Sequence, residues 1–256
     1  MGKILAITNQ KGGVGKTTTS INLAASLVQA QRTVMLVDLD PQGNATMGSG
    51  INKGKITLST YHVLLGLAPL ESALVHTASG YDLVPANGDL SGAEVELITL
   101  DRRERCLRTA LETVKNHYDY ILIDCPPSLN LLTVNALVAA RAVVIPMQCE
   151  YYALEGLSAL TNTIRKIRES LNPQLQIEGL LRTMFDPRNT LANEVSAQLS
   201  QHFGDKVYRT IIPRNVRLAE APSYGKAVFD YDAQSKGAQA YLALAGEILH
   251  REQATA

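Results

Sequence analysis

Residues 11–18 read Lys11-Gly12-Gly13-Val14-Gly15-Lys16-Thr17-Thr18, and the fold turns on what stands on either side of them. Before them, Lys3-Ile4-Leu5-Ala6-Ile7-Thr8 is an apolar run that predicts a buried strand. After them, Ile21, Ala24, Ala25 and Val28 recur at i, i+3, i+4 and i+7, the spacing of one helix face. A glycine-rich turn between a strand and a helix is a seat for a phosphate chain. Glycine has no Cβ, so the backbone can curl and aim several N–H groups at one anion. The helix start adds partial positive charge at the same place. Lys16 is expected at the terminal phosphates, and the Thr17 hydroxyl at Mg²⁺.

Two departures refine that reading. The usual phosphate loop has a glycine where this chain has Gln10, and a second lysine, Lys11, opens the loop. Gly13-Val14-Gly15 also begins a dinucleotide-type G-x-G-x-x-G, with Asp38 near the offset of about 20 residues expected of a ribose-binding acid. Thr18 occupies the third glycine position, however, and a lysine inside the loop suits a triphosphate better than a pyrophosphate.

The 256 residues suffice for one large α/β domain with a filled core, and a single domain over residues 1–256 is expected. Lys plus Arg and Asp plus Glu balance at 24 each, so global charge points to neither nucleic acid nor membrane. Either partner would need a local patch, or patches summed in an oligomer. Cys106, Cys125 and Cys149 lack the spacing of a zinc site or a disulfide framework, which favours reduced thiols in a cytoplasmic protein. No signal peptide precedes the first strand, and no apolar run reaches the length of a membrane span.

Thr33-Val34-Met35-Leu36-Val37 and Tyr120-Ile121-Leu122-Ile123 are continuous apolar runs, the mark of parallel strands covered on both faces. Each ends in acid: Asp38-Leu39-Asp40 after the first and Asp124 after the second. Further strands are expected near 83–85, 142–147 and 177–184. Helices are expected near 58–67, 102–117, 129–140, 154–171, 191–203 and 233–249. This alternation predicts a doubly wound, mostly parallel sheet with helices on both faces. Ligands in such folds sit at the carboxyl ends of the strands, where the loop, Asp38, Asp40 and Asp124 all fall.

Three carboxylates beside a phosphate chain call for a cation between them, and Mg²⁺ is the expected one. Asp124 suits an acid supporting that metal. Asp38 and Asp40, two apart on extended chain, are expected to point the same way, one supporting the metal's waters and one orienting an attacking water. Lys11 enters the loop from the side away from the phosphates, so it is placed to reach a nucleotide held by a second subunit.

Together with Val-Asp-Leu-Asp-Pro-Gln-Gly-Asn, Ile-Asp-Cys-Pro-Pro-Ser-Leu, Gln-Cys-Glu-Tyr-Tyr-Ala-Leu-Glu-Gly-Leu and Ile-Pro-Arg-Asn-Val-Arg-Leu-Ala-Glu-Ala-Pro-Ser, the loop resembles the ParA/Soj chromosome-partitioning ATPases nearly end to end. The resemblance implies an ATP- and Mg²⁺-dependent ATPase with a deviant Walker A loop. ATP would close two subunits into a sandwich homodimer in which Lys11 crosses to the partner's phosphates. That dimer would bind double-stranded DNA without sequence preference, on the nucleoid. A ParB-type centromere-binding protein would stimulate slow hydrolysis and so release it.

Carried over by residue, Gly12, Gly13, Val14, Gly15, Lys16, Thr17 and Thr18 hold phosphates, with Thr17, Asp38 and Asp124 around the metal and Asp40 needed for hydrolysis. Pro213 and Asn215 match positions near the adenine, and Glu150 one near the dimer-facing ribose. Arg188, Arg214 and Arg217 are candidates for DNA contact, although acids interspersed among them also fit an ordinary solvated face. A MinD-like membrane-cycling ATPase is the alternative, but residues 242–252 are short and mixed in charge for a membrane-surface helix, and stable membrane association is not expected. An iron–sulfur reductase would need cysteines shared between subunits, and only Cys125 is near the expected interface.

Overall fold

Unbroken apolar runs have no polar face to offer water, so they occupy the middle of the sheet. In the computed structural model, which describes residues 2–254, eight strands line up: β1 (Lys3–Ile7), β2 (Val34–Asp38), β3 (Val75–His76), β4 (Asp82–Val84), β5 (Tyr120–Asp124), β6 (Ala142–Met147), β7 (Gln176–Phe185) and β8 (Val207–Pro213). Their order is β3-β4-β2-β5-β1-β6-β7-β8. All neighbours are parallel except the β3–β4 edge. Every residue of β2 and β5 is buried.

The helices are α1 (Lys16–Gln29), α2 (Asn44–Gly48), α3 (Thr60–Leu64), α4 (Leu90–Leu97), α5 (Cys106–Leu111), α6 (Leu131–Ala139), α7 (Ala153–Ser170), α8 (Thr190–Phe203), α9 (Val216–Glu220), α10 (Val228–Tyr231) and α11 (Lys236–Gln253). One face of the sheet packs against α3–α8, through residues such as Leu107, Leu137, Leu160 and Leu199. The other packs against α1, α2 and α9–α11, through Leu23, Leu27, Leu218, Tyr241 and Leu244. Each buried leucine or isoleucine contributes about 1.5–3 kcal/mol by leaving water. The doubly wound architecture expected from the alternating pattern is the one found.

Some elements differ from expectation. The helix expected over 102–117 is broken: Arg102 has φ +54°, a single turn covers Arg103–Arg105, and α5 ends at Leu111. Tertiary polar contacts interrupt the local ladder. Asn135 accepts the Leu107 N–H at 3.1 Å and donates to the Arg103 carbonyl at 2.8 Å. The helix expected near 58–67 shortens to α3, capped by Ser59 and His62 and followed by Gly66 at φ +68°. The last helix starts later than expected, where Ser235 accepts the Ala238 N–H. Strands β3 and β8 and helices α2, α4, α9 and α10 fall outside the expected elements.

Candidate functional site

The loop of residues 11–15 leaves the end of β1, the strand flanked by β5 and β6, and feeds α1. It is fastened at both ends. Asn9 donates to the Pro146 carbonyl at 2.8 Å and accepts the Lys11 N–H at 3.0 Å. Farther on, the Thr183 hydroxyl donates to the Val14 carbonyl at 2.8 Å. Gly13 and Gly15 take φ of +72° and +88°, which a side chain rarely tolerates. No side chain caps α1, so its first N–H groups face outward around the loop, as an anion-binding helix start requires.

Lys16 is 7% exposed and its ammonium donates to the Lys11 carbonyl at 3.1 Å, inside the curl of the loop. Burial lowers its proton affinity, while the nearby carboxylates of Asp124 and Asp40 partly restore it. Thr17 donates to Asp124 Oδ2 at 2.7 Å, and Ser20 to Asp124 Oδ1 at 2.8 Å. Asp38 and Asp124 stand opposite each other in the β2–β5 register. Both are fully buried, and burial raises both carboxyls above the usual range; the charge of Asp38 adds to the rise at Asp124.

The expectation that Asp38 and Asp40 present their carboxylates alike is not met. Beyond Asp38 the chain leaves the strand. Asp38 turns back on the loop: it accepts the Asp40 N–H at 3.2 Å, the Thr46 N–H at 2.8 Å and the Thr46 hydroxyl at 2.6 Å. Asp40 instead accepts the Gln42 N–H at 2.9 Å. Asp38 therefore holds the loop that carries Asp40. Thr46 and Ser20 are not singled out by the sequence, where a threonine inside the short helix α2 and a serine one helical turn past the lysine carry no distinctive spacing.

A cavity of about 370 Å³ opens beside Gly15 and Thr18, lined by Thr183, Met184, Ile212, Pro213, Asn215 and Tyr241 among others. Mostly apolar walls with a few polar groups suit a flat heterocycle. Asn215 starts α9, accepting the Arg217 N–H at 3.1 Å. Thr183 and Met184 belong to β7, a strand that carries no motif. Glu150 lies before α7 and pairs with Lys11 at 2.5 Å. Of the three arginines, Arg214 lines the rim of this cavity, whereas Arg188 and Arg217 do not. Arg188 is paired with Asp186 at 2.7 Å, and Arg217 with Glu220 at 2.7 Å and Asp232 at 3.3 Å. Arg214 is exposed and makes no ion pair among the described residues.

A metal fits this donor set in one way only. Among the described residues no group of three His, Cys, Asp or Glu could cage an ion. Magnesium, however, takes one or two protein oxygens and completes its shell with phosphate and water. The Thr17 hydroxyl, held against Asp124 at the uncapped helix start, is such an oxygen.

Fold and loop together define a P-loop nucleoside triphosphatase with a doubly wound sheet. A family model described as an AAA domain matches residues 2–177. The chain is 54% identical to the chromosome partitioning protein ParA of Myxococcus xanthus, covering 98% of this chain and 89% of that one. It is 53% identical to the chromosome-partitioning ATPase Soj of Thermus thermophilus, covering 97% and 96%. A Mycobacterium smegmatis protein described as cobyrinic acid a,c-diamide synthase, solved with bound ADP and magnesium, superposes with a TM-score of 0.88 at 38% identity, covering 100% and 97%. The chain belongs to the ParA/Soj family of chromosome-partitioning ATPases, within the AAA domain family.

Proposed function

We propose that this chain is an ATP-driven DNA-partitioning switch: two copies, each holding ATP and Mg²⁺, clamp face to face, bind DNA without sequence preference, and separate after a hydrolysis that a ParB-type partner accelerates. One observation carries the reading. The loop that cradles phosphate carries two lysines with opposite placements: Lys16 is buried at the helix start, whereas the Lys11 side chain is 44% exposed and its ammonium reaches outward to Glu150.

In this reading the N–H groups of residues 12–18 and the Lys16 ammonium bind the phosphate chain. Thr17 would hold the magnesium, with Asp124 and Asp38 behind it, and the ion would supply positive charge to the phosphate oxygens. Asp40, fixed by the Asp38–Thr46 contacts, orients the attacking water. Pro213 and Asn215 flank the adenine, Glu150 meets the partner's ribose, and Lys11 supplies the second positive charge across the dimer. Weak basic patches containing Arg188, Arg214 and Arg217 sum when two copies are clamped, which makes DNA affinity depend on ATP.

The membrane-cycling alternative finds less support. No helix among the described residues is long and apolar enough to cross a membrane. The apolar side of α11 is already spent in the core, with Tyr241, Leu244, Ala245 and Ile248 buried. Gel filtration and DNA binding with ATP, ADP and no nucleotide, on the parent and on Asp40→Ala, test the proposal. A DNA-bound dimer that persists with ATP only in the variant supports it. DNA binding that ignores nucleotide in both proteins rejects it.

A further inference from the structure

We infer that Asp186 is an electrostatic brake on DNA binding: its carboxylate fills the guanidinium fork of Arg188 and holds the protein's affinity for phosphate backbones below what that arginine would give alone. The inference rests on the assignment of Arg188 to the DNA footprint. The contact is two-pronged. Arg188 Nε donates to Asp186 Oδ1 at 2.9 Å and Nη2 to Oδ2 at 2.7 Å, while the Arg188 N–H also donates to Oδ1 at 3.0 Å. A carboxylate and a phosphate offer the same paired oxygens to this fork, so they compete for it. The Arg188 side chain is 89% exposed, so burial is not what keeps it from a ligand.

The same carboxylate reaches a second member of the footprint. The hydrogen bonds of Arg188 hold Asp186 down to about 2, and Arg214 adds to that pull. Asp186 is thus ionised at every working pH and sits in the field of two of the three candidate arginines. A phosphate arriving there meets a fixed negative charge. The place is also close to the phosphate loop and the cavity beside it. Two residues upstream, Met184 lines the base cavity with φ +48°, and Thr183 holds the phosphate loop.

A brake and an orienting strut predict opposite signs. If Asp186 merely aimed the guanidinium, removing its charge would weaken binding. As a brake, Asp186→Asn tightens it. The asparagine keeps an oxygen for the loop's N–H, so the turn survives. We expect the ATP-bound dimer of Asp186→Asn to bind random-sequence duplex about threefold to tenfold more tightly near 0.15 M salt. Its plot of log affinity against log salt is expected to steepen by about 0.9 per protomer, one further phosphate neutralised each.

The test compares the parent, Asp186→Asn, Arg188→Ala and the double variant, each first shown to dimerise with ATP. Tighter binding in Asp186→Asn that shrinks once Arg188 is alanine supports the inference. Equal or weaker binding in Asp186→Asn, with Arg188→Ala weakened, overturns the brake but leaves the footprint standing. A gain that persists in full without Arg188 also overturns it. If Arg188→Ala binds like the parent, the footprint assignment itself is wrong and the brake falls with it.

Discussion

Lys11 Nζ lies 2.5 Å from Glu150 Oε2, an ion pair that ties the mouth of the phosphate loop to the segment entering α7. The side chains are 44% and 52% exposed, so water screens the pair. Beside it, Tyr151 and Tyr152 stand 74% and 69% exposed, their rings edge to face at 4.9 Å. A lysine so loosely held is free to change partners at small cost.

Glu150→Gln is therefore expected to leave the fold almost untouched. An exposed pair contributes less than about 1 kcal/mol, and the melting temperature of nucleotide-free protein should move by no more than about 3 °C. The same substitution should weaken ATP-driven pairing, read by sedimentation velocity. A large loss of thermal stability would show that the pair holds the fold together rather than standing ready to open.

Ser20 acts differently, because its contact is buried. It donates to Asp124 Oδ1 and is wholly inaccessible. Ser20→Ala leaves a buried carboxylate short of a donor, at about 1–3 kcal/mol. Chemical denaturation should show that loss. No change in stability would mean that Thr17 alone suffices for Asp124.

The two buried acids set a pH dependence with a definite sign. Asp38 and Asp124 carry carboxyls raised above their unfolded values, chiefly by burial. The folded protein therefore holds protons that the unfolded chain has already released. Their contribution is fully present below about pH 4, and it is lost as pH rises toward neutrality through the raised values. Melting curves of nucleotide-free protein should accordingly show stability falling between about pH 4 and 7, as the pair ionises at about 6 and about 7. Asp124→Asn should flatten that part of the profile. An identical profile in the variant would remove Asp124 as its source.

Much of this was legible in the chain. The buried parallel strands show as β-branched runs ending in aspartate, and the loop shows as glycine followed by Lys16-Thr17. Both are local signals. What escaped depends on contacts between distant segments. Strand β8 reads as Val-Tyr-Arg-Thr-Ile-Ile-Pro, interrupted by Arg209 and Thr210, and only pairing with β7 makes it a strand. The orientation of Asp38 is set by Thr46, eight residues on and beyond a turn. The pairs Arg188–Asp186 and Arg217–Glu220 lie within a few residues in sequence, yet spacing alone does not tell a paired arginine from a free one, and the second partner of Arg217, Asp232, is distant in the chain.

The central claim is that two copies share two nucleotides through the lysine at the loop mouth. The most direct measurement is sedimentation of Lys11→Ala with ATP and Mg²⁺, alongside its rate of phosphate release. The account predicts a protein that binds ATP, stays monomeric and turns over far more slowly than the parent. A variant that dimerises and hydrolyses ATP at the parental rate would contradict it.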